Sequence, residues 1–202
     1  WQDEAETALV ARQMVNTNTW LPYAYDSQGP ISQDWNYQFS VSPLWRWHPW
    51  LQFYITALSF KLFGINSFTA RLPFALIGIL SYWYFLYFVR KYNPNSQKLF
   101  WANAIFFLLS IPLLLHFRQC RYYAPSVLFT LIALDGYLDL ANRKTLFRYF
   151  IGSILLFHTS LPGALALQVS FWLHSLFISA KNRTFHPLIL FLFVPINDEN
   201  LI

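Results

Sequence analysis

Long apolar runs alternate with short charged joints along this chain, and the spacing of that alternation is the strongest structural signal it carries. Crossing a bilayer takes roughly 20 apolar residues in a helix, because irregular backbone cannot face lipid. Leu72 to Val89, Leu99 to Phe117, Tyr122 to Leu140 and Phe147 to Leu161 read as spans, followed by Ala164 to Ala180 and a partial run from Pro187 to Pro195. A turn is expected at Leu161-Pro162-Gly163, and Pro73, Pro112, Pro125 and Pro162 are expected to mark span ends or kinks. The segment Pro49 to Phe63 is also apolar but only about 15 residues long, too short to cross. It reads as an interfacial helix, with Trp50, Phe53, Tyr54, Phe60 and Phe63 at the headgroup boundary and Lys61 extending its ammonium into water.

The opening segment has a different period. Thr7, Val10, Ala11 and Met14 recur at i, i+3, i+4 and i+7 within Glu4 to Asn16, which predicts a short helix lying at the membrane surface. Asp3 is the expected N-cap, with Glu6 at N3 completing a capping-box variant. From Thr17 to Trp47 the chain is rich in turn formers and aromatics, among them Trp20, Tyr23, Tyr25, Pro30, Trp35, Tyr37, Trp45 and Trp47, and an ordered loop is expected there.

Charge sorts the joints. Lys and Arg of short loops favour the cytoplasmic side, and three joints qualify: Arg90, Lys91 and Lys98; Arg143, Lys144 and Arg148; Lys181 and Arg183. Two expected spans separate each from the next. That parity puts the joints at Arg118 to Tyr122 and His158 to Gly163 outside, with residues 1 to 71 as one long external loop and 72 to 202 as transmembrane helices. The expected fold class is therefore all-α, a multi-pass integral membrane protein.

Composition agrees with a bilayer as solvent. The hydrophobic set makes up 56% of 202 residues, aromatics 21% and charged residues 11%, with a mean hydropathy of +0.34. A net charge of +5 and a pI near 9.4 would suit nucleic acid in a soluble chain, but here the basic residues sit in topological joints, so no nucleic-acid partner is expected. The single cysteine, Cys120, permits no internal disulfide. The chain opens at Trp1 without Met and stops shortly after a partial apolar run, which reads as a fragment of a longer protein.

With charge so scarce, Asp3 and Glu4 stand out. Carboxylates favour helix N-termini through the macrodipole, so the pair suits a helix start. It equally suits a general base at a membrane-facing site, where desolvation and a neighbouring carboxylate would raise the pKa of one member. Arg118 and Arg121, three apart beside Tyr122, violate the topology bias and would share a face of a helical turn. Their expected partner is a lipid phosphate, a headgroup, or, for Arg121, an acidic residue of the long loop. His48, between Trp47 and Pro49 with Arg46 nearby, is an interfacial belt residue or an anion ligand. His116, His158, His174 and His186 lack metal spacing and read as structural, so no metal site or cofactor is expected, although a divalent ion is compatible. Nucleotide-cradling glycine motifs are absent from the sequence.

Four blocks in register then carry a resemblance. Trp1-Gln-Asp-Glu-Ala-Glu-Thr-Ala-Leu-Val-Ala-Arg-Gln-Met14, His48-Pro49, Ala57-Leu-Ser-Phe-Lys-Leu-Phe-Gly64 and Ala70-Arg-Leu-Pro-Phe-Ala-Leu76 resemble the N-terminal half of bacterial glycosyltransferases such as the protein O-mannosyltransferases and the lipid A aminoarabinose transferase. The resemblance implies a GT-C-type helical bundle with a long external first loop carrying juxtamembrane helices. It implies a bacterial cytoplasmic (inner) membrane location, with the active site facing outward. It further implies inverting transfer of a sugar from a polyprenyl-phosphate donor to a glycan, lipid or protein acceptor, with membrane lipids as the other partners. Asp3 would then take the catalytic role with Glu4 as its companion, and Arg118, Arg121 and Tyr122 would lie in the lipid-phosphate region with His48. Two departures stand out: many members have Glu-Lys-Pro where this chain has Trp47-His48-Pro49, and several place another acidic residue where it has Arg121-Tyr122-Tyr123. A two-carboxylate or metal-binding arrangement is therefore not carried over. The competing expectations are a transporter or flippase for a lipid-linked sugar, which would place charge such as Asp135 or Asp139 inside spans, and a noncatalytic membrane scaffold.

Overall fold

The computed structural model describes residues 2–23, 25–26, 29–30, 44–46, 48–140 and 143–182. Trp1, Trp35, Tyr37, Trp47, Arg183, His186, the Lys181 side chain and the run from Pro187 to Pro195 lie outside the described residues. Within them the regular structure is eight helices: α1 (Gln2–Asn16), α2 (Leu51–Phe63), α3 (Ser67–Tyr92), α4 (Gln97–Leu109), α5 (Ile111–Phe117), α6 (Tyr123–Tyr137), α7 (Arg143–Phe157) and α8 (Leu161–Asn182). The all-α fold class is as expected, with one local strand pairing beside the helices. Two-residue strands β1 (Tyr25–Asp26) and β2 (Gly29–Pro30) pair antiparallel, Tyr25 opposite Pro30 and Asp26 opposite Gly29.

The helical stripe of α1 is its buried face. Thr7, Val10, Ala11 and Met14 are all buried, Val10 and Met14 against Phe53 and Trp45, and Ala11 in the cluster that holds Phe60. Burying a side chain of phenylalanine size contributes roughly 1.5–3 kcal/mol when it leaves water, so Phe53 and Phe60 clamp α1 to α2. The interfacial reading of α2 is corrected to that extent. Phe53 and Phe60 point into protein, whereas Phe63 and Lys61 are exposed. After α1 the chain turns through Asn18 at φ 50°, with Thr19 N–H donating to Met14 C=O and Asn18 N–H to Val15 C=O. That is a Schellman ending with asparagine in the left-handed position.

α3 begins five residues before the expected span. Asn66 caps it reciprocally with Thr69: the Asn66 side chain accepts from Thr69 N–H and the Thr69 hydroxyl accepts from Asn66 N–H. Pro73 lies inside the helix rather than at its end, and its ring has no N–H for the carbonyl of Thr69 four residues earlier. Ser59 Oγ fills that vacancy, donating to Thr69 C=O at 2.6 Å and tying α2 to α3 where the proline would otherwise weaken it. The other three prolines, Pro112, Pro125 and Pro162, occupy the first turns of α5, α6 and α8, where a missing N–H costs nothing.

Two helices are long and apolar enough to cross a membrane, Ser67–Tyr92 and the Leu161–Ile178 part of α8. The expected span Leu99 to Phe117 is broken: α4 and α5 meet at Ser110 with a 61° bend. α6 and α7 are 15 residues each, about 22 Å long, short of the roughly 30 Å hydrocarbon core. The turn expected at Leu161-Pro162-Gly163 lies earlier, at His158–Ser160. Leu76, Ile79, Leu80, Trp83 and Tyr87 are exposed on one side of α3, while Ala70, Phe74, Gly78 and Ser81 are buried on the other. A helix whose outer face is the more apolar one suits lipid. The protein is membrane-associated through these helices.

Small residues set the closest helix contact. A side chain at Gly136 of α6 would collide with Tyr149 N, and one at Gly152 of α7 would meet Ala133 N at 2.5 Å, so the two backbones touch at both points. The joints fall at two ends of the bundle. Cys120 and His158 reach α1 and the start of α2, through Cys120 N–H on Glu4 and Leu51 N–H on His158 C=O. Lys91, Asp135 and Arg148 meet at the opposite end.

Candidate active site

Asp3 is not an N-cap: it is the second residue of α1, inside its first turn, so Glu6 does not stand at the N3 position expected of it. Its carboxylate pairs with Arg121, Oδ2 to NH1 at 2.7 Å, and remains 54% exposed. Glu4, the next residue, projects elsewhere because successive helical side chains diverge by about 100°. Arg71 of α3 donates to both its oxygens, at 2.6 and 3.0 Å, and Cys120 N–H donates to Oε1 at 3.1 Å. Only 12% of the Glu4 side chain is exposed. Burial pushes the Glu4 carboxyl up, but the Arg71 hydrogen bonds and charge and the Cys120 N–H outweigh it, and the net direction is below the ordinary carboxylate value. The expectation of a raised pKa is thus reversed at Glu4, because its neighbour across the interface is a guanidinium.

Arg118 and Arg121 part company. The chain between α5 and α6 turns without helical geometry, leaving Arg118 exposed and directing Arg121 inward to Asp3, where its side chain is 15% exposed. Arg121 is the loop salt bridge that the sequence left open. It also donates to Tyr123 Oη at 3.1 Å and lies over the Tyr122 ring at 5.3 Å and the Tyr123 ring at 5.2 Å. Cys120, buried beside them, contacts Thr56 Oγ1 at 3.2 Å, and burial pushes its thiol up to about 12, so it stays protonated.

Against this cluster lies a cavity of about 850 Å³. Arg46, His48, Trp50, Tyr54 and Tyr122 form one wall, and the turn from Phe157 to Pro162 forms the other. The His48 and Tyr122 ring centres are 5.9 Å apart. Asp3 and Arg121 do not line the cavity but adjoin it, since Arg121, paired with Asp3, lies over the Tyr122 ring that forms part of its wall. Burial lowers the His48 pKa, Arg121 lowers it further, and Asp3 opposes them, with a net direction below the ordinary value. Near pH 7 His48 is therefore a neutral hydrogen-bonding ring, and Arg46 is the cation facing the cavity.

Four of the six sequence candidates, Asp3, His48, Arg121 and Tyr122, gather here; Glu4 sits beneath them as an anchor, and Arg118 stands apart. The sequence reading missed the far wall. His158, Thr159 and Ser160 line the cavity, so His158 is more than the structural residue its spacing suggests; the joint parity places that turn at the Asp3 end. Arg46, in sequence only a neighbour of His48, also lines the cavity. No group of three or more His, Cys, Asp or Glu gathers at metal-binding distance among the described residues. Comparisons of the chain with protein-family models, with curated proteins and with solved structures returned no match.

Proposed function

We propose that this chain is the N-terminal part of a GT-C-type glycosyltransferase of the bacterial inner membrane, moving a sugar from a polyprenyl-phosphate carrier to an acceptor at the outer face. One observation carries the reading: Asp3 is held by Arg121 with half its surface open, beside a cavity of about 850 Å³ that presents both cationic and aromatic groups. A proton acceptor needs a fixed position and a free oxygen, and the single guanidinium contact leaves both. We take the Asp3 end as the outer one, because the basic joints at Arg90 to Lys98 and Arg143 to Arg148 lie at the other end of the bundle, where the charge rule expects the cytoplasm.

In the proposed step the acceptor hydroxyl gives its proton to Asp3 while its oxygen bonds to the anomeric carbon. The bond from that carbon to the phosphate oxygen breaks on the opposite side, and the phosphate leaves with the electron pair. Arg46 stabilises the departing charge and His48 donates a hydrogen bond to it. Arg121 serves mainly to orient Asp3, a narrower role than direct phosphate contact. Trp50, Tyr54 and Tyr122 offer faces on which a sugar ring can stack. A transporter would draw on Asp135, the buried charge among the helices, but four donors already occupy its oxygens.

The test is Asp3→Asn in the full-length protein, reconstituted and supplied with polyprenyl-phosphate sugar. Transfer is expected to fall by about 10²–10⁴-fold, the usual contribution of a positioned base. Transfer at the wild-type rate would remove the base assignment. No transfer by the unaltered protein from any such donor would remove the glycosyltransferase reading itself.

A further inference from the structure

We propose that the Asp135 cluster, at the end of the bundle away from the cavity, is a binding site for the phosphate of an anionic phospholipid headgroup. Asp135 is fully buried. Its Oδ1 accepts from Lys91 Nζ at 2.6 Å and Tyr92 Oη at 3.0 Å, and its Oδ2 accepts from Tyr84 Oη at 3.0 Å and from the Arg148 guanidinium. One carboxylate therefore serves two cations. Neutrality would require only one, and the surplus positive charge faces outward, because 27% of the Lys91 side chain and 33% of the Arg148 side chain are exposed. Lys91 has three N–H donors and Arg148 five, so both keep donors beyond those engaged by Asp135 and by the neighbouring hydroxyls of Tyr92, Tyr84 and Tyr87.

Position and surroundings specify the ligand. Lys91 lies in the last turn of α3, the longest span, which sets it at headgroup depth. Leu80, Tyr84, Tyr87 and Lys91 recur at helical spacing along α3, with Leu80 and Tyr87 exposed, so an acyl chain lying along that face arrives with its phosphate at Lys91. Arg90, Lys98, Arg143 and Lys144 lie at the same end, against the acidic Asp135 and Asp139. Basic pockets between membrane helices at such an end bind acidic headgroups. Arg148 can chelate a phosphate through two parallel N–H bonds, with Lys91 as a point charge beside it.

The experiment uses the full-length protein in nanodiscs of equal parts phosphatidylcholine and phosphatidylglycerol, with retained lipid counted by native mass spectrometry. The unaltered protein is expected to retain phosphatidylglycerol about five-fold over phosphatidylcholine, the preference conferred by one effective cation near an anionic headgroup. Lys91→Gln and Arg148→Gln each leave Asp135 one cation and bring the cluster to neutrality, and each is expected to reduce the preference towards unity. If one of them does not fold, the other gives the result. Lys98→Gln with Arg143→Gln removes two charges from the same end outside the cluster and is expected to keep most of the preference. Loss of preference in that double variant, with retention in Arg148→Gln and Lys91→Gln, would overturn the proposal in favour of diffuse surface charge. Excess inorganic phosphate is expected not to displace the bound lipid. Complete displacement would assign the site to free phosphate.

Discussion

At one end of the bundle Asp135 is fully buried and all its oxygens are engaged by four donors; at the other, Asp3 is 54% exposed and meets one guanidinium. Glu4 stands between them, with three donor contacts and 12% exposure. The three carboxylates form a series in saturation. A fully engaged carboxylate can hold helices together but has no lone pair left for a substrate. A partly engaged one is oriented and still open. Sequence adjacency is therefore a poor guide to role, since Asp3 and Glu4 are neighbours in the chain and belong to different parts of the series.

The strongest way to break the comparison is at its saturated end. Asp135→Asn keeps the size of the side chain but turns an NH₂ toward a cation and a phenol donor. Removing one partner of a buried pair costs about 3–5 kcal/mol. Because Lys91 and Arg148 are already a quarter to a third exposed and can turn outward, the expected loss is near the lower figure, about 3 kcal/mol. Unfolding in mixed micelles measures it. A loss under about 1 kcal/mol would mean that saturation does not mark a structural role.

Smaller effects separate Glu4 from Asp3. Glu4→Gln loses the ionic half of the Arg71 contact while the amide oxygen can still accept from Cys120 N–H. Arg71 is 44% exposed, so solvent screening holds the expected loss to about 1 kcal/mol. Asp3→Asn weakens a pair whose acidic partner is half exposed, and its expected cost is about 0.5 kcal/mol or less. The two substitutions should thus rank oppositely by stability and by glycosyl transfer. Equal destabilisation by both, measured side by side, would assign Asp3 a structural role and merge the two positions.

Much of this arrangement was legible because it obeys periodicity. The α1 stripe at Thr7, Val10, Ala11 and Met14 is the buried face, and the joint at Arg118 to Tyr122 does come back to Asp3. What escaped was tertiary. No local rule pairs Asp3 with Arg121 or Glu4 with Arg71, since the partners are 118 and 67 residues apart. Pro73 reads as a breaker until Ser59 is seen satisfying the carbonyl it leaves free. The bend at Ser110 was obscured by the continuous hydropathy from Leu99 to Phe117, a scale blind to backbone direction. The Asn66 and Thr69 box was present in the sequence as a cap followed three residues later by a hydroxyl, and it marks the start of α3 better than hydropathy does.

The finest distinction within the site comes from pH. The His48 pKa is lowered by burial and then by Arg121, so the folded protein binds fewer protons than the unfolded chain between the two values. Stability therefore rises with pH across that window: the contribution is full above the ordinary histidine value and is lost as pH falls toward the depressed one. Glu4, also held low, contributes in the same direction in a second window, at and below the ordinary carboxylate value. Unfolding midpoints against pH should show two successive acid losses. His48→Gln is expected to abolish the upper one and keep the lower, whereas Glu4→Gln is expected to keep the upper one and reduce the lower, to which the ion-paired Asp135 also contributes. Asp3→Asn removes the charge that opposes the His48 shift, so the upper loss should extend to lower pH and deepen. If Asp3→Asn leaves that window unchanged, Asp3 and His48 do not sense one another, and the carboxylate and the cavity are separate sites.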